Sequence, residues 1–223
     1  MPPKPKYEKR DMIDAALQIA RESGISAVTA REVAARLGCS TRPVFTCFSG
    51  MEELQNAVTD AAWEMFYAYL RVADDYVPAF KKRGLQMVRF AKEEPKLFRL
   101  LFMTESTQDY GDWSRSYLHG FEKDIAAIKS LYHVSKQEAS LLFHQVFLCT
   151  CGVCTLQTSN VCTFSEQELV TMFGCAFGGT MTLIRSGNTD AVSAAPVHKD
   201  SPQAAVLQAE FPQANQSFTL RKH

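Results

Sequence analysis

Residues 29–48, TAREVAARLGCSTRPVFTCF, carry the signals of two short helices joined by a tight turn. Thr29 followed by Glu32 predicts a capping box. In such a box the threonine hydroxyl accepts from the Glu32 N–H, and the Glu32 carboxylate accepts from the Thr29 N–H. Gly38 predicts the end of the first helix, because glycine adopts a left-handed backbone at little cost.

The second helix of this stretch is predicted to have two different faces. Ser40 is the predicted N-cap, and Pro43 falls in the first turn, where a missing N–H costs nothing. Val44 and Phe48 are four residues apart and are predicted to face the core. The side chains left facing outward are Thr41, Arg42 and Thr46. This is the pattern of a helix-turn-helix, whose second helix enters the roughly 12 Å wide major groove of B-DNA. The alternative is a helical hairpin inside an ordinary bundle.

The order of residues at the start of the chain resembles that of a known family. A basic arm, a first helix ending at Gly24, and T-x-R-E-V-A-x-x-L-G-x-S-x-x-x-V-F-x-x-F over 29–48 resemble the TetR/AcrR family of bacterial transcriptional regulators. The resemblance covers about residues 8–54 and continues through M-E-E-L at 51–54. It implies an all-α fold, with an N-terminal three-helix DNA-binding head and a C-terminal helical body for ligand binding and dimerisation.

Three positions depart from the family pattern. Members often have Leu-Tyr, then His or Tyr before the phenylalanine, and a lysine opening the fourth helix, all commonly contacting phosphates. This chain has Val44-Phe45, Cys47 and Met51 there. Phe45 and Met51 cannot donate a hydrogen bond, and a thiol is a weak donor. We therefore expect phosphate binding to depend on the basic arm, backbone N–H groups and hydroxyls, and to be less sensitive to salt than in such members.

Two arginines are the predicted readers of DNA. Arg42, near the start of the second helix, has the donors for bidentate contact with a guanine edge. Arg31 matches a family position that reaches a base or a phosphate. For both, the alternative is a solvated surface side chain. The residues predicted to contact DNA are Thr29, Arg31, Ser40, Thr41, Arg42, Pro43, Phe45 and Thr46.

Charge and helical periodicity predict a division into a head, a body and a tail. Residues 1–50 hold eight Lys/Arg and five Asp/Glu, whereas residues 51–187 hold thirteen and sixteen. We therefore predict a DNA-binding domain over 1–50, a regulatory and dimerisation domain over 51–187, and a mostly disordered tail over 188–223. Residues 1–7 are predicted to be a flexible basic arm. Helices are predicted over 8–23, 51–76, 79–94, 96–103, 113–131, 136–157 and 165–186.

Three further patterns refine these helices. Ile13, Ala16, Leu17 and Ala20 have the spacing of the buried stripe of the first helix. Ser135 with Glu138, and Ser165 with Glu168, predict two more capping boxes that begin the last two helices.

Aromatic residues predict an effector pocket in the body. An aromatic at helical spacing is more often core than pocket lining, but as a set these residues suit an apolar, planar or amphiphilic small molecule. The predicted pocket residues are Phe66, Tyr69, Phe90, Phe102, Trp113, Phe121, Phe143 and Phe147.

The family resemblance places the last two helices at a four-helix dimer interface, where small residues let helices approach closely. The predicted interface residues are Cys151, Cys154, Gly174 and Gly178. Cys149, Cys151 and Cys154 also suggest a metal or redox site. Three thiolates on one continuous helix coordinate a metal poorly, because residues two apart point in nearly opposite directions. We therefore predict no metal and no cofactor.

The remaining features limit the compartment and the class of protein. No stretch of 18 apolar residues or signal-peptide core is present, so we predict no membrane association. Seven cysteines, an odd number, are expected to be reduced in a cytoplasm. No Walker loop, dinucleotide glycine pattern, nucleophile elbow or H-E-x-x-H motif occurs, so we predict that the protein is not an enzyme.

These features together predict a homodimeric regulator of transcription, most simply a repressor. Its partners would be double-stranded operator DNA, with half-sites about one helical turn or a multiple apart, and a small-molecule effector that releases it. Two alternatives remain open. One is a helical small-molecule-binding protein with a vestigial DNA head, and the other is a thiol- or metal-responsive regulator.

Overall fold

The computed structural model describes residues 7–76, 78–103 and 121–187, and the regular structure in these ranges is helical. A short 3-10 turn, Ile25–Ala27, follows the first helix. The α-helices are α1 Lys9–Ser23, α2 Ala30–Leu37, α3 Arg42–Cys47, α4 Met51–Arg71, α5 Ala79–Glu93, α6 Pro95–Phe102, α7 Glu122–Tyr132, α8 Lys136–Thr158 and α9 Glu166–Ser186. The predicted all-α fold is confirmed.

Most helices begin and end near the predicted residues, with one clear exception. The predicted helix over 51–76 ends at Arg71, because residues 72–75 form turns. Both predicted capping boxes form at the starts of α8 and α9. The Ser135 N–H donates to Glu138 Oε2 at 2.7 Å, and the Ser165 N–H donates to Glu168 Oε2 at 2.7 Å. Residues 1–6 of the predicted arm over 1–7, residues 113–120 of the predicted 113–131 helix, and the tail over 188–223 lie outside the described residues.

The contacts of the chain define two compact units, Met1–Met181 and Thr182–His223. Helices α1 to α8 and most of α9 belong to the first. The predicted division at residue 50 stays a prediction. We use "head" for α1–α3 and "body" for the helices that follow.

Helix α1 is the centre of the head, because it packs against α2, α4 and α6. Its buried face differs from the predicted stripe: Ala16 and Ala20 are buried as expected, but Ile13 and Leu17 are only half-buried. The other buried residues of α1 are Met12, Ala15 and Ile19. A helix with neighbours on several sides buries a wider face than one stripe, and the buried face extends toward these residues.

An ion pair joins the head to the body. Arg21, in the last turn of α1, donates from Nε to Glu94 Oε2 at 2.8 Å and from Nη2 to Glu94 Oε1. Glu94 is the residue between α5 and α6, and its side chain is almost fully buried. The two-point hydrogen bonding compensates for the loss of water around the carboxylate, and it raises the pKa of Arg21.

A second ionic contact fixes the turn between α3 and α4. Glu53 accepts from Lys9 Nζ at 2.6 Å through one oxygen. Its other oxygen accepts from the Ser49 N–H at 2.7 Å and the Ser49 hydroxyl at 2.9 Å. The Lys9 ammonium also lies 4.7 Å from the centroid of the Phe48 ring. The start of α1, the end of α3 and the start of α4 are therefore held by one set of side chains.

This contact predicts an acid-sensitive contribution to stability. Hydrogen bonds from Lys9 and then from Ser49 lower the pKa of Glu53 from its ordinary value of 4.5 to about 2. The ionised carboxylate therefore stabilises the fold above its ordinary pKa, and this stabilisation is lost as the pH falls through about 2. The variant Glu53→Gln should melt at a lower temperature than the wild type at neutral pH, and the difference should shrink as the pH falls from about 5 to about 2.

Thermal melts followed by circular dichroism measure this difference. Glu52→Gln, an exposed neighbour in the same helical turn, is the matched control and should show a smaller difference at neutral pH. A gap between Glu53→Gln and the wild type that stays constant over this pH range would contradict the assignment.

Candidate nucleic-acid interface

The turn between α2 and α3 has the predicted glycine geometry. Gly38 adopts φ 64° and ψ 39°, and the Cys39 N–H donates to the Ala34 carbonyl at 2.9 Å, which closes the end of α2. At the other end of α2, the Thr29 hydroxyl accepts from the Glu32 N–H at 3.2 Å. The return bond from the Thr29 N–H to the Glu32 carboxylate is absent, so only half of the predicted capping box forms.

Helix α3 begins one residue later than predicted, and its first turn has no side-chain cap. The residue before the helix is Thr41, not Ser40, and its backbone is already helical at φ −72° and ψ −15°. A residue in that conformation does not direct its hydroxyl at the free N–H groups of the first turn. Pro43 removes one of those N–H groups. Ser40 and Thr41 are both exposed, so their hydroxyls face solvent.

The two faces of α3 are separated as the spacing predicts. Val44 and Phe48 are buried at 1% and 2% exposure. Arg42 is exposed, and Phe45 is 56% exposed, which is unusual for so large an apolar side chain. The hydroxyl of the exposed Thr46 donates to the Arg42 carbonyl at 3.0 Å, so its hydrogen is used within the helix and only its oxygen and methyl group can meet a ligand.

Ion pairing distinguishes the arginines of the head from one another. Between residues 7 and 58, the basic side chains within 4.0 Å of a carboxylate are Lys9, Arg10, Arg21 and Arg36. Arg31 and Arg42 are exposed and have no such carboxylate among the described residues. A guanidinium that is not already paired can bind phosphate or a base edge without first breaking an internal contact. The two predicted readers are therefore the basic residues between 7 and 58 that are available for such contacts.

Tyr7 anchors the start of the described chain to the head. Its hydroxyl donates to the Leu37 carbonyl, at the end of α2, at 2.8 Å. The prediction that Tyr7 belongs to the flexible arm is therefore wrong, because the hydroxyl binds a carbonyl left free at a helix end. The sign of this contact in the sequence is the position of the tyrosine, directly after a proline-rich basic segment. Lys4 and Lys6 of the arm lie outside the described residues.

A narrow cavity lies among α4, α5, α7 and α8, with a volume of about 30 Å³. Four of the predicted pocket residues line it: Phe66, Phe121, Phe143 and Phe147. The other lining residues are Leu70, Phe80, Arg83, Gly84, Met87, Asp124, Val146 and Thr150. The other four predicted pocket residues are not among the described residues that line the cavity. Phe90, Tyr69 and Phe102 form an aromatic cluster around Phe66, with ring centroids of neighbours 5.2 Å apart, and Trp113 is outside the described residues.

Two charged residues of this cavity were missed by the sequence reasoning. Arg83 Nη1 donates to Asp124 Oδ1 at 2.5 Å, and Arg83 Nη2 donates to Asp74 Oδ1 at 2.6 Å. Asp124 is only 2% exposed. Burial raises the pKa of Asp124, and the nearby Arg83 opposes that rise. The partners are separated from Arg83 by 9 and 41 residues along the chain, so no local pattern could reveal the contact.

The predicted interface residues fall into two groups. Cys154 is fully buried inside the protomer and Cys151 is half-buried, so Cys154 does not lie on a surface that a second subunit reaches. Gly174 and Gly178 are exposed on α9, and a Cβ added at Gly174 would meet nothing within 4 Å. Among the described residues, no group of three metal-binding side chains is close enough to hold an ion.

A glycine-terminated helix, a tight turn and a short helix with one buried and one exposed face define a helix-turn-helix protein. Residues 12–58 match the family described as bacterial regulatory proteins of the tetR family. That family consists of transcriptional regulators rather than enzymes, and the match covers most of α1, all of α2 and α3, and the start of α4.

Two relatives extend this finding beyond the head. The chain is 24% identical over 128 residues to the HTH-type nicotine-responsive transcriptional repressor HdnoR of Paenarthrobacter nicotinovorans. That alignment covers 54% of this chain and 66% of the relative, just under two thirds of its length. The structure of a TetR-like transcriptional regulator from Rhodococcus sp. RHA1 has a TM-score of 0.60 at 16% identity, over 80% of this chain and 99% of that one. The body therefore has the fold of that regulator as well.

The availability of Arg42 predicts a specific loss of DNA affinity on substitution. Arg42→Ala should weaken binding to the preferred duplex by roughly 1–3 kcal/mol, because the predicted bidentate base contact would be lost. Arg71→Ala is the control, since Arg71 is also exposed but lies at the far end of α4, about 30 Å along that helix from its start. Fluorescence anisotropy at fixed salt measures both, and equal affinities for the two variants would remove Arg42 from the interface.

Proposed function

We propose that the protein is a ligand-responsive, DNA-binding regulator of transcription, and that it is a homodimeric repressor released from its operator by a small molecule. The observation that carries the proposal is the exposed Arg42 on α3, which has no carboxylate partner among the described residues, within a segment that matches the TetR family. The second helix of a helix-turn-helix enters the major groove, and Arg42 lies in its first turn.

The response to a small molecule is supported by the relative and by the cavity. The relative is a nicotine-responsive repressor, and we carry over from it only the class: repression relieved by a small organic effector. Five of the twelve residues that line the cavity are phenylalanines and three more are Leu, Met or Val, which suits an apolar or amphiphilic effector with a flat ring. Its Phe66, Phe121, Phe143 and Phe147 would contact such a ring.

Helix α4 and the Arg21–Glu94 ion pair form the proposed link between effector and DNA. The start of α4 is tied to the head through Glu53, and Phe66 and Leu70, nearer its end, line the cavity. A molecule that enlarges the cavity would move α4 or the α5–α6 junction and so change the spacing of the two recognition helices in a dimer. The effect is limited by the difference between the effector affinities of the two states.

The apolar surface of α8 and α9 supports the homodimer. Helix α8 is the one helix among the described residues that could cross a membrane by length and composition, with 23 residues, a mean hydropathy of 1.6 and one third of that window buried. Leu148 on α8 is 58% exposed and Val170 on α9 is 51% exposed. TetR-family regulators are soluble DNA-binding proteins. We therefore propose that a second copy of the chain covers this surface, and that the protein acts in the cytoplasm.

A charge on this surface should dissociate the proposed dimer. Leu148→Glu places two carboxylates in a two-fold interface and should destabilise it by roughly 2 kcal/mol or more. Val72→Glu is the matched control, because Val72 is 49% exposed but lies after α4, away from α8 and α9 in the chain. Sedimentation velocity over a concentration series should show monomer for Leu148→Glu and dimer for the control. Identical sedimentation of both variants and the wild type would exclude this surface.

The experiment that tests the function is binding of the full-length protein to duplexes from its own upstream region, followed by fluorescence anisotropy across a salt series. A regulator should bind one duplex at nanomolar concentration and lose affinity as salt rises, since phosphate contacts release counterions. Binding no tighter than to random duplexes of the same length would count against repression from that region.

The second candidate is a helical ligand-binding protein whose head no longer binds DNA. The observation that favours it is the loss of donors at Phe45, Cys47 and Met51. A thiol-responsive regulator has less support, because burial raises the pKa of Cys149 and of Cys154 and so lowers their thiolate fraction. Failure of every upstream duplex together with tight binding of a small molecule would favour the second candidate.

A further inference from the structure

One end of the cavity carries a buried carboxylate oxygen without a protein donor. Asp124 lines the cavity, and its Oδ1 accepts from Arg83 Nη1 at 2.5 Å. Its Oδ2 is also buried, and no donor of the described residues reaches it. A buried carboxylate oxygen that accepts no hydrogen bond is costly, so proteins rarely retain one without a use. Asp124, which lines the apolar cavity, therefore carries an available acceptor.

The charges around the cavity favour a cation there. Arg83 is shared between Asp124 and Asp74, so one guanidinium contacts two carboxyl groups. Asp74 is half-exposed, so Arg83 makes one of its contacts to a solvated carboxylate and only the other to Asp124. Within the described part of the chain, Arg83 and Asp124 are the only ionisable residues that line the cavity, so no second cation of these residues meets Oδ2.

Five phenylalanine rings form part of the remaining walls, beside aliphatic residues. The faces of the rings carry partial negative charge and attract cations, in addition to the apolar area that they offer. Phe121 and Phe143 lie with ring centroids 5.0 Å apart, and Phe143 and Phe147 are stacked at 5.9 Å. An anion would be repelled by this arrangement, and a purely apolar molecule would leave Asp124 Oδ2 without a donor.

We propose that the effector is a protonated amine with an aromatic or otherwise apolar body, whose N–H donates to Asp124 Oδ2. The inference rests on the proposed function in one respect, that this cavity is the effector site, and it adds the chemical class of the effector. The Arg83 contact holds Asp124 in position, the free oxygen accepts the ammonium N–H, and the rings hold the body of the molecule.

The cavity is too small to admit an aromatic amine unless it opens. A volume of about 30 Å³ holds about one water molecule, so an amine must displace aromatic side chains to enter. The open form is then a minor state that the amine selects, and the measured affinity is lower than the affinity for the open form. The displaced rings belong to the helices around the cavity, which include α4, the helix that reaches the head.

The test uses three probes of one shape, titrated calorimetrically into the full-length protein. N,N-dimethylphenethylamine is protonated and has one N–H, trimethylphenethylammonium is a cation without an N–H, and 3,3-dimethylbutylbenzene is neutral. We expect the protonated amine to bind at least about tenfold tighter than the quaternary cation, because the quaternary cation has no N–H to donate. The neutral probe should bind more weakly than the protonated amine by a still larger factor. Equal affinities for the three probes, or no binding of the amine at millimolar concentration, would overturn it.

A variant locates the acceptor. Asp124→Asn keeps the shape of the side chain and should reduce the affinity for the protonated amine at least about tenfold, while the neutral probe changes little. Asp75→Asn removes an equal charge from an exposed residue and should leave both affinities unchanged. An unchanged amine affinity in folded Asp124→Asn would overturn the proposal. If that variant does not fold, the three-probe comparison on the wild type still decides.

The outcomes also separate this inference from the proposed function. Salt-sensitive binding to an upstream duplex without preference for the amine would keep the regulator and reject the amine. Preference for the amine that depends on Asp124, without binding to any duplex, would keep the amine site and reject the regulator.

Discussion

The ion pair between Arg21 and Glu94 is a partly buried charged contact between head and body, added to the packing of α1 against α4 and α6. Glu94 is buried at the junction of α5 and α6, where a carboxylate is stable only with a charged partner. Arg21 supplies that partner from the last turn of α1, the helix against which α2 and α4 pack. This contact joins α1 to the α5–α6 junction across 73 residues of sequence.

Helix α4 runs from the head to the cavity of the body. One end is held by the Glu53 contacts next to α3, and the other end forms a wall of the aromatic cavity. A single rigid helix thus carries both the anchor of the DNA-reading element and part of the proposed effector site. A two-state movement of α4 would be enough to couple them, and Asp124 would give the effector its polar contact.

Local chemistry could be predicted from the sequence, and long-range pairing could not. Gly38 and the pairs Ser135–Glu138 and Ser165–Glu168 act within five residues of the chain, and each formed as predicted. The buried face of α1 was misjudged because it depends on which helices pack around it. The freedom of Arg31 and Arg42 became visible only when the partners of the other basic residues were known, at separations such as 14 and 73 residues.

The proposed regulator requires that α3 reads a two-fold symmetric DNA sequence. Selection of duplexes from a random pool by the purified protein, followed by sequencing, tests this requirement even though the operator is unknown. We expect enrichment of a near-palindrome with half-sites about one helical turn or a multiple apart, and loss of that enrichment with Arg42→Ala. Enrichment of no sequence, or of the same sequence by the wild type and by Arg42→Ala, would contradict it.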